Sequence, residues 1–111
     1  MALIRRRRRD EELSSSEAPV ADPALVPIGS APSRRRIRVQ GQVIRMRARP
    51  TSGQPSLAVT IGDGTGTLTA VWTGRRAIGG ITLGRQLQLE GVAVIASGHL
   101  ELTNPAYTLL P

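Results

Sequence analysis

Cysteine, lysine and phenylalanine are absent from this chain, and His99, Trp72 and Tyr107 are the only residues of their kinds. Without cysteine there are no disulfides and no thiolate metal sites. One histidine cannot build a His-rich zinc site, and no catalytic motif surrounds it. Without lysine, neither Schiff-base chemistry nor a Walker-type phosphate loop is available. No apolar run approaches the roughly 20 residues of a membrane span. The opening stretch MALIRRRRRDEEL has a basic patch but no apolar segment behind it, so it does not read as a signal peptide. These absences lead to the expectation of a cytoplasmic protein that uses no metal and no cofactor.

Positive charge is what the chain has in excess. All 15 cations are arginine, set against eight carboxylates, for a net charge of +7 over 111 residues. A coding bias toward G and C also favours arginine, so the charge carries more meaning than the choice of residue. Residues 1–36 hold a net +3 and residues 37–111 a net +4, so the excess is not confined to a tail. Such a balance predicts an anionic partner, nucleic acid or an acidic membrane surface. The membrane reading is the weaker, because no amphipathic apolar face accompanies the run IRRRRR.

Composition divides the chain near residue 33. Residues 1–33 join a charge block to a Pro-, Ser- and Ala-rich stretch in which Pro19, Pro23, Pro27 and Pro32 oppose any long helix. This segment reads as a flexible arm, either simply solvated or ordering on a protein partner. Residues 34–111 read as one small domain. In RRRIRVQGQVIRMRAR, Ile37, Val39, Gly41 and Val43 alternate with Arg36, Arg38, Gln40 and Gln42, a half-buried strand with a basic outer face. Gly41 suggests a bend or bulge, beyond which the phase is ambiguous. LAVTIGD and TLTAVWTG are two further strands, with Leu57, Val59 and Ile61 inward on the first and Leu68, Ala70 and Trp72 sharing one face of the second. RRAIGGITLG is too short and Gly-rich for a full helix. RQLQLEGVAVIA and HLELTNP supply strands four and five around a Ser97-Gly98 hairpin, and AYTLLP can add a last extended segment. Five short strands with one irregular connection point to a small antiparallel barrel, which also removes exposed sheet edges.

The GDGTG stretch at 62–66 superficially matches a nucleotide-binding loop. Such loops lead into a helix whose N-terminus holds phosphate. Here β-branched, alternating TLTAVW follows, so the stretch reads as a hairpin bend, with Asp63 bonding the turn backbone. The carboxylates of the folded part, Asp63, Glu90 and Glu101, are isolated in sequence, and no enzyme is expected. The arginines carry the functional signal. Arg38, Arg45, Arg47 and Arg49 lie on the first strand and its exit, Arg75 and Arg76 follow the third, and Arg85 precedes the fourth. If they converge on one face, they form a groove that neutralises phosphates and releases counterions. Trp72 and Tyr107 are the only rings for base stacking, far fewer than single-strand binders usually carry. The alternation leaves Trp72 either in the core or in the groove, and Tyr107 either a lid or a stacking platform.

In order, RVQGQVIRMRARP, LAVTIGDGTGTLTAVW, LGRQLQLEGVAV and GHLELTNPAY resemble the OB-fold nucleic-acid-binding domains. Within that family the likeness is to the wedge domain of RecG-type helicases and to small stand-alone OB-fold proteins of actinobacteria, and it covers about residues 36–110. It implies a five-stranded Greek-key barrel with a ligand face on strands two and three, flanked by the loops after strands one and four. Trp72 falls where the wedge has an aromatic, and Arg45, Arg47 and Arg49 fall on the strand-one exit. The wedge's second aromatic corresponds to Thr73 here, and the chain has no motor. The expected function is binding of single-stranded or junction DNA, in preference to RNA, with little sequence specificity. The alternative is an adaptor that meets an acidic protein partner.

Overall fold

The computed structural model describes residues 23–51 and 53–111. Six strands follow one another: β1 (Arg36–Thr51), β2 (Gln54–Gly62), β3 (Thr67–Thr73), β4 (Gln86–Ala96), β5 (His99–Thr103) and β6 (Ala106–Leu109). Among the described residues, a 3-10 turn, Ile28–Ser30, precedes them. β1 pairs antiparallel with β4 through Arg36–Gln42 and with β2 through Gln42–Thr51. β2 pairs with β3, β3 runs parallel to β5, and β5 pairs back onto β4. The five strands thus close on themselves as the expected Greek-key barrel, and β6 adds to β4 alongside.

Closure requires β1 to change partners in mid-strand, and two local features allow it. At Gly41 the backbone passes so close to Gly62 that a Cβ would lie 2.8 Å from the Gly62 carbonyl oxygen. Just beyond, the β1–β2 register skips Ile44: Val43 faces Ile61 and Arg45 faces Thr60. This β-bulge puts Ile44 outside, half exposed, and resets the alternation. The phase left ambiguous by the sequence is decided here. The far hairpin is simpler: Ser97 and Gly98 both take positive φ, 51° and 78°, the geometry that suits a two-residue turn between twisted strands.

Inward positions fill the barrel as the alternation requires. Val39, Val59, Ile61, Leu87, Leu89 and Leu102 are fully buried, with Trp72 at one end of the cluster. The 74–85 connection forms no helix. Ile78 and Ile81 are nonetheless buried against the core, so two isoleucines on an irregular loop close that side of the barrel. Burial of each contributes about 1.5–3 kcal/mol toward ordering this loop.

Residues 25–31, assigned by composition to the arm, pack on the barrel. Leu25 bridges Arg38, the Val26 N–H donates to the Arg38 carbonyl (2.9 Å), and Ile28 is buried. The reason is local: an apolar Leu-Val-Pro-Ile run sits between the prolines and inserts Ile28 beside the β2–β3 turn. Asp63 secures that contact. Its Oδ2 accepts the Ile28 N–H at 2.9 Å, and its Oδ1 accepts the Thr65 N–H (2.9 Å) and hydroxyl (2.6 Å). Residues 1–22, most of the expected arm, lie outside the described residues.

These donors, Ile28 first and then the Thr65 hydroxyl, hold the Asp63 carboxyl at about 2. A carboxyl depressed in the folded state adds stability above its unfolded value, near 4, and that stability is lost as pH falls toward the folded value. Asp63→Asn should therefore melt at a lower temperature than the wild type at neutral pH. The gap should narrow between about pH 4 and pH 2. A constant gap in thermal melts across that window would sink the assignment.

Candidate nucleic-acid interface

After the bulge, β1 alternates cleanly, and Arg45, Arg47 and Arg49 all point outward from the β1–β2 ribbon. They stand opposite Thr60, Ala58 and Ser56 respectively. The Ser56 hydroxyl, buried beneath them, donates to the Arg49 carbonyl at 3.2 Å and helps fix this register. The three arginines, with Ala58, Thr60, Thr67, Thr69 and His99, line a shallow groove of about 250 Å³. Its floor is small and hydroxylated. Thr60 and Thr69 lie across from each other with their Oγ1 atoms 3.1 Å apart. Nothing bulky on the floor stops a backbone from lying close.

The charges of this face are available. Among the described residues, no carboxylate lies within ion-pair distance of Arg45, Arg47 or Arg49. Exposed guanidinia of this kind are suited to bind phosphate, with a planar donor fork that matches its oxygens.

The other sequence candidates go elsewhere. Arg38 lies on the first half of β1, in register with Glu90 of β4, and donates to its Oε1 at 3.3 Å. Arg36 takes the other oxygen of the same carboxylate at 3.0 Å. The outer surface here is otherwise glutamine, with Gln40 opposite Gln88 and Gln42 opposite Gln86. Arg75 and Arg76 are exposed on the loop after β3. Arg85 is half-buried, and its Nε donates to the Leu110 carbonyl at 3.1 Å, tying down the C-terminal strand.

Trp72 is in the core, 7% exposed, and its Nε1–H donates to the Pro105 carbonyl at 3.2 Å. Tyr107 meets it edge to face, with ring centroids 5.9 Å apart. Asn104 completes this corner. It takes positive φ, its Oδ1 accepts the Thr73 N–H at 3.0 Å, and its own N–H donates to the Val71 carbonyl at 2.7 Å. The two aromatic rings thus hold β6 against the end of β3. Tyr107 remains 40% exposed, and it belongs to this corner and does not line the arginine groove.

Sequence reasoning gave no site role to Thr60, Thr67, Thr69 or Ala58, although the alternation placed Ala58 and Thr60, and Thr67 and Thr69, outward. The signal that finds them is pairing: once Arg45 faces Thr60 and Thr60 faces Thr69, the floor follows. Among the described residues there is no helix long and apolar enough to cross a membrane, and no group of three or more potential metal-binding side chains.

A closed barrel in the order β1-β2-β3-β5-β4-β1, with a parallel β3–β5 pair, is the OB fold. No family model and no curated protein matches the chain. Solved structures do. A replication factor A-related protein from Methanobacterium thermoautotrophicum superposes with a TM-score of 0.62 at 17% identity, over 81% of this chain and 94% of that one. A domain of replication protein A from Methanococcus maripaludis gives a TM-score of 0.65 at 13% identity, over 78% of this chain and 96% of that one. RecG bound to a three-way DNA junction gives 0.68 at 14% identity, over 79% of this chain and 13% of the far longer RecG. At these identities what is shared is the fold.

Because the indole is a core group with a buried hydrogen bond, Trp72→Phe should cost about 1–3 kcal/mol in denaturant unfolding by leaving the Pro105 carbonyl unpaired. A variant as stable as the wild type would contradict the corner described above.

Proposed function

We propose that this protein is a non-catalytic OB-fold module that binds single-stranded or junction DNA with little sequence preference, through the Arg45–Arg47–Arg49 face of β1–β3. The observation that carries the reading is the contrast between two sets of arginines. Arg36 and Arg38 share Glu90, whereas the three that flank the hydroxylated groove have no carboxylate beside them among the described residues. A protein gains little stability from three unopposed like charges along one strand, since cross-strand and same-face repulsion is unfavourable. They are best accounted for by an anionic ligand. With no Trp, Tyr, Phe or amide side chain among the groove-lining residues, and His99 the one ring there, the groove favours contact with the sugar–phosphate backbone over readout of bases. DNA is preferred to RNA because the structural relatives include replication protein A domains and a RecG–DNA junction complex.

In the adaptor reading, the part of the 1–33 arm outside residues 25–31, which pack on the barrel, would order on a protein partner. The adaptor reading has one observation of its own: an Stn1–Ten1 complex from S. pombe, an assembly of two proteins, shares the fold at a TM-score of 0.52. Val92, Val94 and Ile95, exposed toward the end of β4, offer such a partner an apolar contact.

Binding to a labelled oligonucleotide, measured by anisotropy over a range of salt, separates the two. Replacing Arg45 and Arg47 together with Ala should weaken binding to all sequences about equally. It should also flatten the plot of log K against log salt by about 1.4, roughly 0.7 for each lost phosphate contact on a single strand. Arg38→Ala, whose charge is already opposed by Glu90, should change the slope little. No binding by the wild type even at low salt would leave the adaptor as the function.

A further inference from the structure

The groove can be approached in two directions, and its charge pattern distinguishes them. A strand laid across the sheet from β1 toward β5 follows rows of cross-strand neighbours. The first row is Arg45, Thr60, Thr69 and Glu101. The second is Arg47, Ala58, Val71 and Thr103, and the third is Arg49, Ser56 and Thr73. Each crossing meets a single arginine, and the first ends on a carboxylate. A strand laid along β1 meets all three arginines and no acid.

The spacing also favours the second direction. Side chains two residues apart on a strand repeat every ~6.7 Å. Arg45, Arg47 and Arg49 keep that repeat uninterrupted, because the bulge lies before all of them and the pairing from Arg45 to Thr51 is regular. Two residues of polypeptide and one nucleotide each contain six backbone bonds, so an extended single strand repeats its phosphates over a comparable length. The neutral floor of Ala58, Thr60, Thr67 and Thr69 runs beside the arginines and leaves room for the sugars.

We infer that a bound single strand runs along β1, with consecutive phosphates on Arg45, Arg47 and Arg49, and does not cross the sheet toward β5. This rests on the proposed binding function and specifies its geometry. The minimum ligand is then a stretch with three successive phosphates, held in extended form and indifferent to its bases. Glu101 lies three strand spacings from β1, about 14 Å along the sheet. That exceeds the Debye length of about 8 Å at physiological salt, so it should have little influence on a strand held on β1.

The test uses oligothymidylates of increasing length with the full chain and four variants, Arg45→Gln, Arg47→Gln, Arg49→Gln and Glu101→Gln, each checked by thermal melt. The inference expects each arginine variant to lower affinity and to flatten the salt slope by the same step, about 0.7. It expects the three combined to remove about 2 from the slope and Glu101→Gln to leave binding within about twofold. Loss confined to one arginine, with a clear gain from Glu101→Gln, would establish a crossing path and overturn the inference while leaving the binding function standing. Equal binding by the wild type and all three arginine variants would remove the strand from this face altogether. Absence of binding by the wild type would instead defeat the underlying function.

Discussion

The structure depends on one long strand turning a corner. β1 lends its first half to β4 and its second to β2, and no barrel closes unless the chain twists sharply between them. Gly41 allows the close approach to Gly62, and the bulge at Ile44 supplies the extra twist. The same bulge decides the site. Carrying the first-half alternation through without it would send Arg45, Arg47 and Arg49 toward the barrel interior, where unpaired guanidinia are prohibitively costly. A device needed for closure therefore also sets the arginines on the outside.

Arginines of identical chemistry meet different fates according to their neighbours. Arg36 and Arg38 divide one glutamate between them, and Arg85 serves as a clamp on a carbonyl. Ion pairs as exposed as the Glu90 set contribute at most about 1 kcal/mol each, so their main effect is to reduce the net charge of that surface. The second half of β1 has no such compensation. The molecule is left with one face that is polar but balanced and another that is strongly positive.

Aromatic residues, scarce to begin with, are used for architecture. Trp72 fills the end of the barrel, Tyr107 packs edge-on against it, and Asn104 and Pro105 bind the pair to β3 and β6. A second economy lies in the 74–85 connection, where Ile78 and Ile81 cover the core without a helix. What remains at the groove is hydroxyl, methyl and guanidinium, with the single imidazole of His99.

Much of this was legible in the residues alone. Period-two alternation located the strands and their buried faces, the Ser97-Gly98 pair marked a hairpin, and the β-branched run after GDGTG ruled out a phosphate loop, because each depends on local geometry. Three things needed the tertiary structure. Apolar Ile28 pulls residues 25–31 onto the barrel, an attraction toward a surface that exists only once β2 and β3 meet. Trp72 was ambiguous because alternation assigns a face but not a depth, and depth was set by Pro105 and by Tyr107 of β6 meeting it. The grouping of the arginines was out of reach for the same reason: Arg38 and Arg45 look alike along the chain, and only pairing with β4 or β2, across a bulge that Gly41 suggested but whose effect on the phase stayed open, gives one a carboxylate partner and the other an open groove.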